Sequence, residues 1–123
     1  MGANVAMWRK NACQIIWTVA DEKFQRDNWF GKGEYVSSPS EMYNNVFDDL
    51  AIEEFLASPE IALNVLQKAA GNRLVEAMNA FEKPVDSLTP DQVIDHPAWR
   101  EVRDAAKRFW DLLECEKYDD TRE

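Results

Sequence analysis

Apolar residues recur at steps of three and four over most of the chain, which is the spacing of the buried face of an α-helix. The pattern is clearest over residues 4–24, 38–56, 70–84 and 97–113. The chain contains no alternating run rich in Val, Ile and Thr, no hairpin turn pair and no internal repeat. We therefore predict an all-α fold, a compact bundle of about four main helices with one or two short ones.

Capping residues predict where three of these helices begin. Ser38 with Glu41 and Thr89 with Gln92 have the spacing of capping boxes, each with a proline at the first helical position. The run Asp-His-Pro at residues 95–97 predicts the start of the last helix. One good cap contributes about 1 kcal/mol to the stability of a helix.

Other positions predict interruptions. Gly and Lys at residues 31–33 break the chain after the first helix, a kink is allowed after Leu50, and Pro84 ends the third helix. Residues 59–70 fit either a short helix or an extended packed link, and Gly71 weakens any helix that runs through it by about 1 kcal/mol.

The length and composition predict one folded domain over residues 1–123. A chain of 123 residues has the usual size of a domain, and its apolar content of 46% is enough for a core and argues against disorder. Residues 116–123 are polar, and we predict that they form a frayed tail.

The net charge of −9 is unevenly distributed. Residues 34–67 contain seven acidic residues and no Lys or Arg, whereas residues 1–33 are net positive. Such an excess repels nucleic acid backbones and anionic membranes. It favours a positively charged protein as the partner.

The two cysteines lie near opposite ends of the chain. One disulfide between Cys13 and Cys115 is allowed, but we predict that both are reduced, with Cys13 filling the core of the first helix. The first residues lack a signal-peptide pattern, Gly2 lacks the context for myristoylation, and no apolar run has the length of a membrane span. These observations predict a cytoplasmic protein.

The sequence shows no recognisable catalytic constellation. Two Cys and one His are too few for a typical structural zinc site, and the helices carry no Glu-x-x-His pairs for a di-iron site. His96 sits at a predicted helix start, where local hydrogen bonding is the favoured role, and the Gly-Lys-Gly run lacks the spacing of a phosphate-binding loop. We predict no catalytic residue, metal or cofactor, and therefore not an enzyme.

The acidic excess supplies the candidate binding residues. Asp48, Asp49, Glu53 and Glu54 lie four to five residues apart and have no Lys or Arg at a neighbouring helical position. A solvated helix face explains this pattern as well as an anionic patch that docks a cationic site does. We take the four acids as candidate partner contacts and Tyr43 as the candidate anchor.

Other aromatic residues allow two interpretations. Trp8 and Trp99 fall on apolar helix faces and are predicted to be core residues. Trp17 and Trp110 lie off the main stripes of their helices, so they either widen the buried face or serve as exposed anchors. Tyr35 flanks the acidic block on its other side and suits contact with a basic protein surface.

The order of several short motifs resembles a group of small, mostly uncharacterised bacterial proteins of the helical toxin-immunity type. The similar positions extend over roughly residues 15–113, and they are residues 17–19 (Trp-Thr-Val), 25–29, 48–50 (Asp-Asp-Leu) and 95–105, which begin Asp-His-Pro-Ala-Trp. The resemblance implies a bacterial source and a place beside toxin genes. It implies no site residues and no particular toxin.

Together, these observations predict an immunity protein that neutralises a cognate bacterial toxin. Many toxins are nucleases with a basic substrate groove, which an acidic inhibitor matches and is steered towards. An acidic adaptor, a regulator or a DNA mimic would use the same surface, and a small enzyme is the third alternative. The sequence does not predict the oligomeric state.

Overall fold

The computed structural model describes residues 2–29 and 38–115, and every regular element in them is helical, which confirms the all-α prediction. The predicted break at residues 31–33, Tyr35 and the predicted tail at 116–123 lie outside the described residues. In chain order the elements are α1 (Gly2–Ala20), α2 (Glu22–Asn28), α3 (Pro39–Asn44), a π-helical continuation of α3 that we call the π-segment (Asn45–Asp49), α4 (Ile52–Ala57), α5 (Val65–Asp86), α6 (Pro90–Asp95) and α7 (Pro97–Leu112).

The first helix ends at Ala20, four residues before the end that the apolar pattern predicted. Asp21 has an extended backbone, and its carboxylate accepts a hydrogen bond of 3.0 Å from the Lys23 backbone N–H. Asp21 therefore caps α2, which carries the chain on in a new direction. The apolar repeat did not show this break because Phe24 continues its spacing.

The predicted start at Ser38 and the predicted kink are both confirmed. The Ser38 hydroxyl accepts the Glu41 N–H at 3.1 Å, with Pro39 at the first helical position. After Leu50, Ala51 adopts a left-handed conformation (φ 54°, ψ 58°) before α4 begins. This conformation costs an L-residue about 1–2 kcal/mol, so the surrounding packing must hold it.

Residues 59–64 form a non-helical link, and α5 begins at Val65. Asn64 and Gln67 form a capping box, with both hydrogen bonds at 2.8 Å. The helix runs through Gly71, where an added Cβ would collide with Leu56 and lie 3.1 Å from Phe109. Glycine is therefore suited to the close approach of α4 and α7 at this point.

The prediction that Pro84 ends the third helix was wrong by two residues, since α5 continues to Asp86. Proline has no N–H to donate and crowds the preceding turn, but only the final turn of α5 follows it here. The capping box of Thr89 and Gln92 that opens α6 is confirmed. At the start of α7, His96 is the cap, and its Nδ1 accepts the Ala98 N–H at 3.0 Å.

The last helix is the centre of the packing, because α7 contacts both α1 and α5. Trp8 and Trp99 are part of or packed against the core, as predicted, and Trp99 is fully buried. Trp17 and Trp110 pack on each other with ring centroids 5.1 Å apart, and Trp110 is buried. Trp17 and Trp110 therefore widen the buried faces of their helices, which is the first of the two interpretations that the sequence allowed.

The two cysteines form a disulfide, which corrects the prediction that they are reduced. Cys13 lies on α1 and Cys115 just beyond α7, with Cα atoms 5.5 Å apart, and both residues are buried. They are 102 positions apart in sequence, so only the packing of α1 against α7 brings them together. The predicted core position of Cys13 is confirmed.

Within the described residues, we find no helix with the length and apolar character needed to cross a membrane. The cytoplasmic location stays a prediction.

Candidate partner-binding groove

The four candidate acids are all exposed to solvent. Within the described part of the chain, none of their carboxylates forms a salt bridge or a side-chain hydrogen bond. Ion pairs between described residues lie instead on α2, α6 and α7, as in Lys23–Asp27 and Lys107–Asp111. The acids of the π-segment and α4 therefore present negative charge that is not paired in a salt bridge with any described cation.

A surface groove runs between this segment and α5. One half has a volume of about 450 Å³ and lies between α4 and the first half of α5, where Leu56, Ala57 and Val75 supply apolar surface. The other half, of about 330 Å³, lies between the π-segment and the second half of α5, where Phe47 and Tyr43 supply it. Glu53 lines both halves, so we describe them as one groove.

The structure brings three of the five predicted residues together. Tyr43, Asp48 and Glu53 line the groove. Asp49 and Glu54 are exposed but do not line it. A partner that filled the groove would thus contact the first three residues directly, and Asp49 and Glu54 would act as neighbouring charges.

Tyr43 is a fixed wall of the groove. Its hydroxyl donates a 2.6 Å hydrogen bond to the Met78 carbonyl of α5, and its ring stacks on Phe47 with centroids 6.2 Å apart. Burial, and then the negative charges of Glu82 and Asp86, raise the pKa of the Tyr43 phenol above its usual range. A partner would therefore meet the exposed part of the ring, since the hydroxyl already has an internal acceptor.

The bend between α3 and α4 sets the position of the acids. The Leu50 N–H donates to the Asn45 carbonyl five residues earlier, at 2.8 Å, which gives the π-segment its wider turn. The indole N–H of Trp8 donates to the Leu50 carbonyl at 2.8 Å, and its ring packs edge-on against Phe55 of α4. These contacts from α1 and α4 hold Asp48 beside the bend.

The sequence analysis missed the wall that α5 contributes. Lys68, Asn72, Val75, Asn79 and Glu82 follow each other at alternating steps of four and three, so they form one stripe along the helix. The sequence shows the spacing of these five residues, but the prediction considered only the neighbouring apolar stripe of the same helix. That Glu82 approaches the acids of the π-segment depends on tertiary packing, which spacing within one helix does not reveal.

His96, Cys13 and Cys115, which the sequence analysis considered for chemistry, have structural roles. The Nδ1 of His96 accepts the Ala98 N–H, and the imidazole packs on Phe81 with ring centroids 4.6 Å apart. Cys13 and Cys115 are bonded to each other. In the part of the chain that the structure describes, no three His, Cys, Asp or Glu side chains are grouped so that they could hold a metal ion.

No family model, curated protein or solved structure matches this chain.

Proposed function

We propose that this protein acts by binding a basic protein partner, and that the partner is a bacterial toxin which it neutralises. One observation carries the proposal: exposed carboxylates that form no described salt bridge stand beside a groove whose walls combine apolar with polar side chains. Acidic surface alone is compatible with simple solvation. Solvation does not require apolar side chains in the groove, but a binding partner that covers them gains free energy by excluding water.

Electrostatics gives this surface its selectivity. Unneutralised acids attract a cationic surface over roughly a Debye length, about 8 Å at physiological ionic strength. Such steering raises association rates by about 10- to 1,000-fold at low salt. A nuclease toxin binds its phosphate substrate through Lys and Arg, so its substrate groove is the surface that this protein would cover.

The proposal involves no bond making or breaking by this chain. The imidazole of His96 caps a helix and the cysteines are paired, which leaves these groups committed to the fold. The proposal also includes a cytoplasmic location, where a nuclease would meet its substrate, and it requires that the buried disulfide withstands reducing conditions there. Cell fractionation tests that part separately.

Co-expression with the product of the adjacent gene tests the function. The parent protein should restore growth to cells that make the toxin and should co-purify with it. The quadruple variant D48N/D49N/E53Q/E54Q should lose both effects. A matched control, E60Q/E76Q/E101Q/D104N, removes the same number of charges from exposed positions outside the groove and should behave like the parent.

Stability measurements separate loss of binding from loss of folding. Glu53 and Glu54 lie in the first turn of α4, where the helix dipole favours negative charge by about 0.3–1 kcal/mol each, so the quadruple variant should lose at most about 2 kcal/mol of stability and should stay folded. If no complex forms and no cells are protected, the toxin-immunity function is wrong. If the quadruple variant protects as well as the parent does, the acidic surface is not the binding surface.

A further inference from the structure

We propose that the groove binds an extended, basic peptide segment of the partner, whose backbone is held by asparagine side chains. This inference rests on the proposed function and specifies the partner's chemistry. It follows from three properties of the groove: its length, the pattern of its asparagines and its distribution of charge.

The length of the groove suits a short segment. Lys68 and Glu82 mark its ends on α5 and are fourteen residues apart, which corresponds to about 21 Å at 1.5 Å per residue. An extended chain advances about 3.3 Å per residue, so about six residues would span the groove. The apolar side chains in the two halves would then contact separate parts of the same peptide.

Three asparagines provide hydrogen-bonding groups along the groove. Asn72 and Asn79 lie two turns apart on α5, and Asn44 lies on the opposite wall. All three are exposed, and within the described residues their side chains have no hydrogen-bond partner. Each amide offers one acceptor and two donors, so it can pair with both the N–H and the C=O of a peptide backbone.

These amides favour an extended segment over a helical one. A helix forms its backbone hydrogen bonds internally, so it would leave the asparagine side chains without backbone groups to bind. An extended segment must find partners in the groove for those of its N–H and C=O groups that are turned away from water. The described residues contain no strand whose edge could supply them, which leaves side chains such as Asn72 and Asn79 to do so.

The charges specify the side chains of the segment and their direction along the groove. Asp48, Glu53 and Glu82 line the middle and one end, whereas Lys68 lies at the other end. A matching segment therefore has Lys or Arg in the acidic part and a carboxylate near Lys68. Between them it has apolar side chains, which pack against Val75.

A library of six-residue peptides that combine Lys or Arg with Leu and a Glu at one end provides the probe, measured by fluorescence anisotropy. The best mixed peptides should bind at least about tenfold more tightly than a peptide of six lysines. Removing one neutral hydrogen bond weakens binding by about fivefold, so N72A/N79A should weaken the best peptide by about tenfold or more. The control N11A/Q14A changes two exposed polar side chains of α1 and should leave its affinity unchanged.

Nuclear magnetic resonance gives a direct readout of the asparagines. The side-chain amide signals of Asn72 and Asn79 should shift when the peptide binds, and that of Asn11 should not. The inference is overturned if no mixed peptide binds, if six lysines bind equally well, or if the bound peptide becomes helical by circular dichroism.

The same variant distinguishes this inference from the function on which it rests. If N72A/N79A neutralises the toxin like the parent while the quadruple acid variant does not, the acidic surface binds the partner without a peptide in the groove. If both variants neutralise like the parent, the toxin-immunity function stands, but neither the acidic surface nor the groove binds the partner. If both lose binding, the two proposals stand together.

Discussion

Gln25 is the buried polar side chain on which the junction of α1, α2 and α7 depends. It is fully buried, and its Nε2 donates to the carbonyls of Thr18 and Val19 at 3.0 and 2.9 Å. Those carbonyls belong to the last turn of α1, where intrahelical donors run out. Its Oε1 accepts the indole N–H of Trp99 at 3.0 Å. One side chain thus satisfies three polar groups in the protein interior.

Gln25→Leu should lower the free energy of unfolding by about 2–4 kcal/mol. Leucine has a similar size, so the cavity contribution is small, but the Trp99 N–H loses its acceptor in a site that water does not reach. An unsatisfied buried group costs about 1–3 kcal/mol. The two carbonyls of α1 add to this cost, and the extra apolar burial of leucine offsets part of it. A domain with a total stability of about 5–15 kcal/mol would lose a large fraction of it.

Urea denaturation of a double-mutant cycle measures this contribution. Trp99→Phe removes the indole donor, so leucine at position 25 should cost less in that background, with a coupling of about 1–2 kcal/mol. Gln14→Leu, an exposed change on α1, is the control and should stay within about 0.5 kcal/mol of the parent. An additive cycle, or a Gln25→Leu variant as stable as the parent, would refute the reasoning.

Three further predictions test other parts of the structure. Reductant should lower the melting temperature of the parent, because the bond between Cys13 and Cys115 closes a loop of about 100 residues and stabilises the fold by up to about 4–5 kcal/mol. The melting temperature of C13S/C115S should not change with reductant. If reductant leaves the melting temperature of the parent unchanged, the disulfide is contradicted. Above about pH 10, the unfolded chain releases the phenolic proton of Tyr43 while the folded protein retains it. The free energy of unfolding of the parent should therefore fall more steeply with pH than that of Tyr43→Phe. Parallel pH profiles of the two proteins in urea denaturation would contradict the raised pKa. In urea denaturation, His96→Ala should lower the free energy of unfolding by about 1 kcal/mol, because it removes the cap on the Ala98 N–H. His96→Asn should restore most of this free energy. Equal stability of the two variants would argue against the cap.

The helices could be predicted because their signals are local. Ser38 and Thr89 cap helices where the sequence indicated, and the kink after Leu50 lies where the apolar face is interrupted. The end of α1 was missed although Asp21 is a good capping residue, because the apolar repeat continues past it. The start of α5 was left open although Asn64 and Gln67 have capping-box spacing. In both cases the prediction gave more weight to the apolar periodicity than to the capping residues.

The candidate site could be predicted only in part, because half of it depends on packing between distant segments. The acids of the π-segment and α4 stand out as a run without cations, and Asp48 and Glu53 do line the groove. Glu82 comes from a helix about thirty residues later and was not distinguishable from any other exposed acid. The pairing of Cys13 with Cys115 was hidden for the same reason.

The distribution of charge separates a part of the surface that stabilises the fold from a part that does not. Arg26 bridges Glu22 and Asp95, which links α2 to α6, and the buried Arg103 reaches the same Glu22 from α7. Exposed pairs of this kind contribute little singly, but together they neutralise the acids around that junction. The acids of the π-segment and α4 have no such cations, and Ala51 between them is held in a strained conformation. The buried apolar side chains of this segment, such as Phe55, stabilise the free protein, but its exposed acids and the strain at Ala51 do not. Its arrangement makes physical sense if a cationic partner supplies the missing counter-charge, since the interaction energy is then gained on binding instead of on folding.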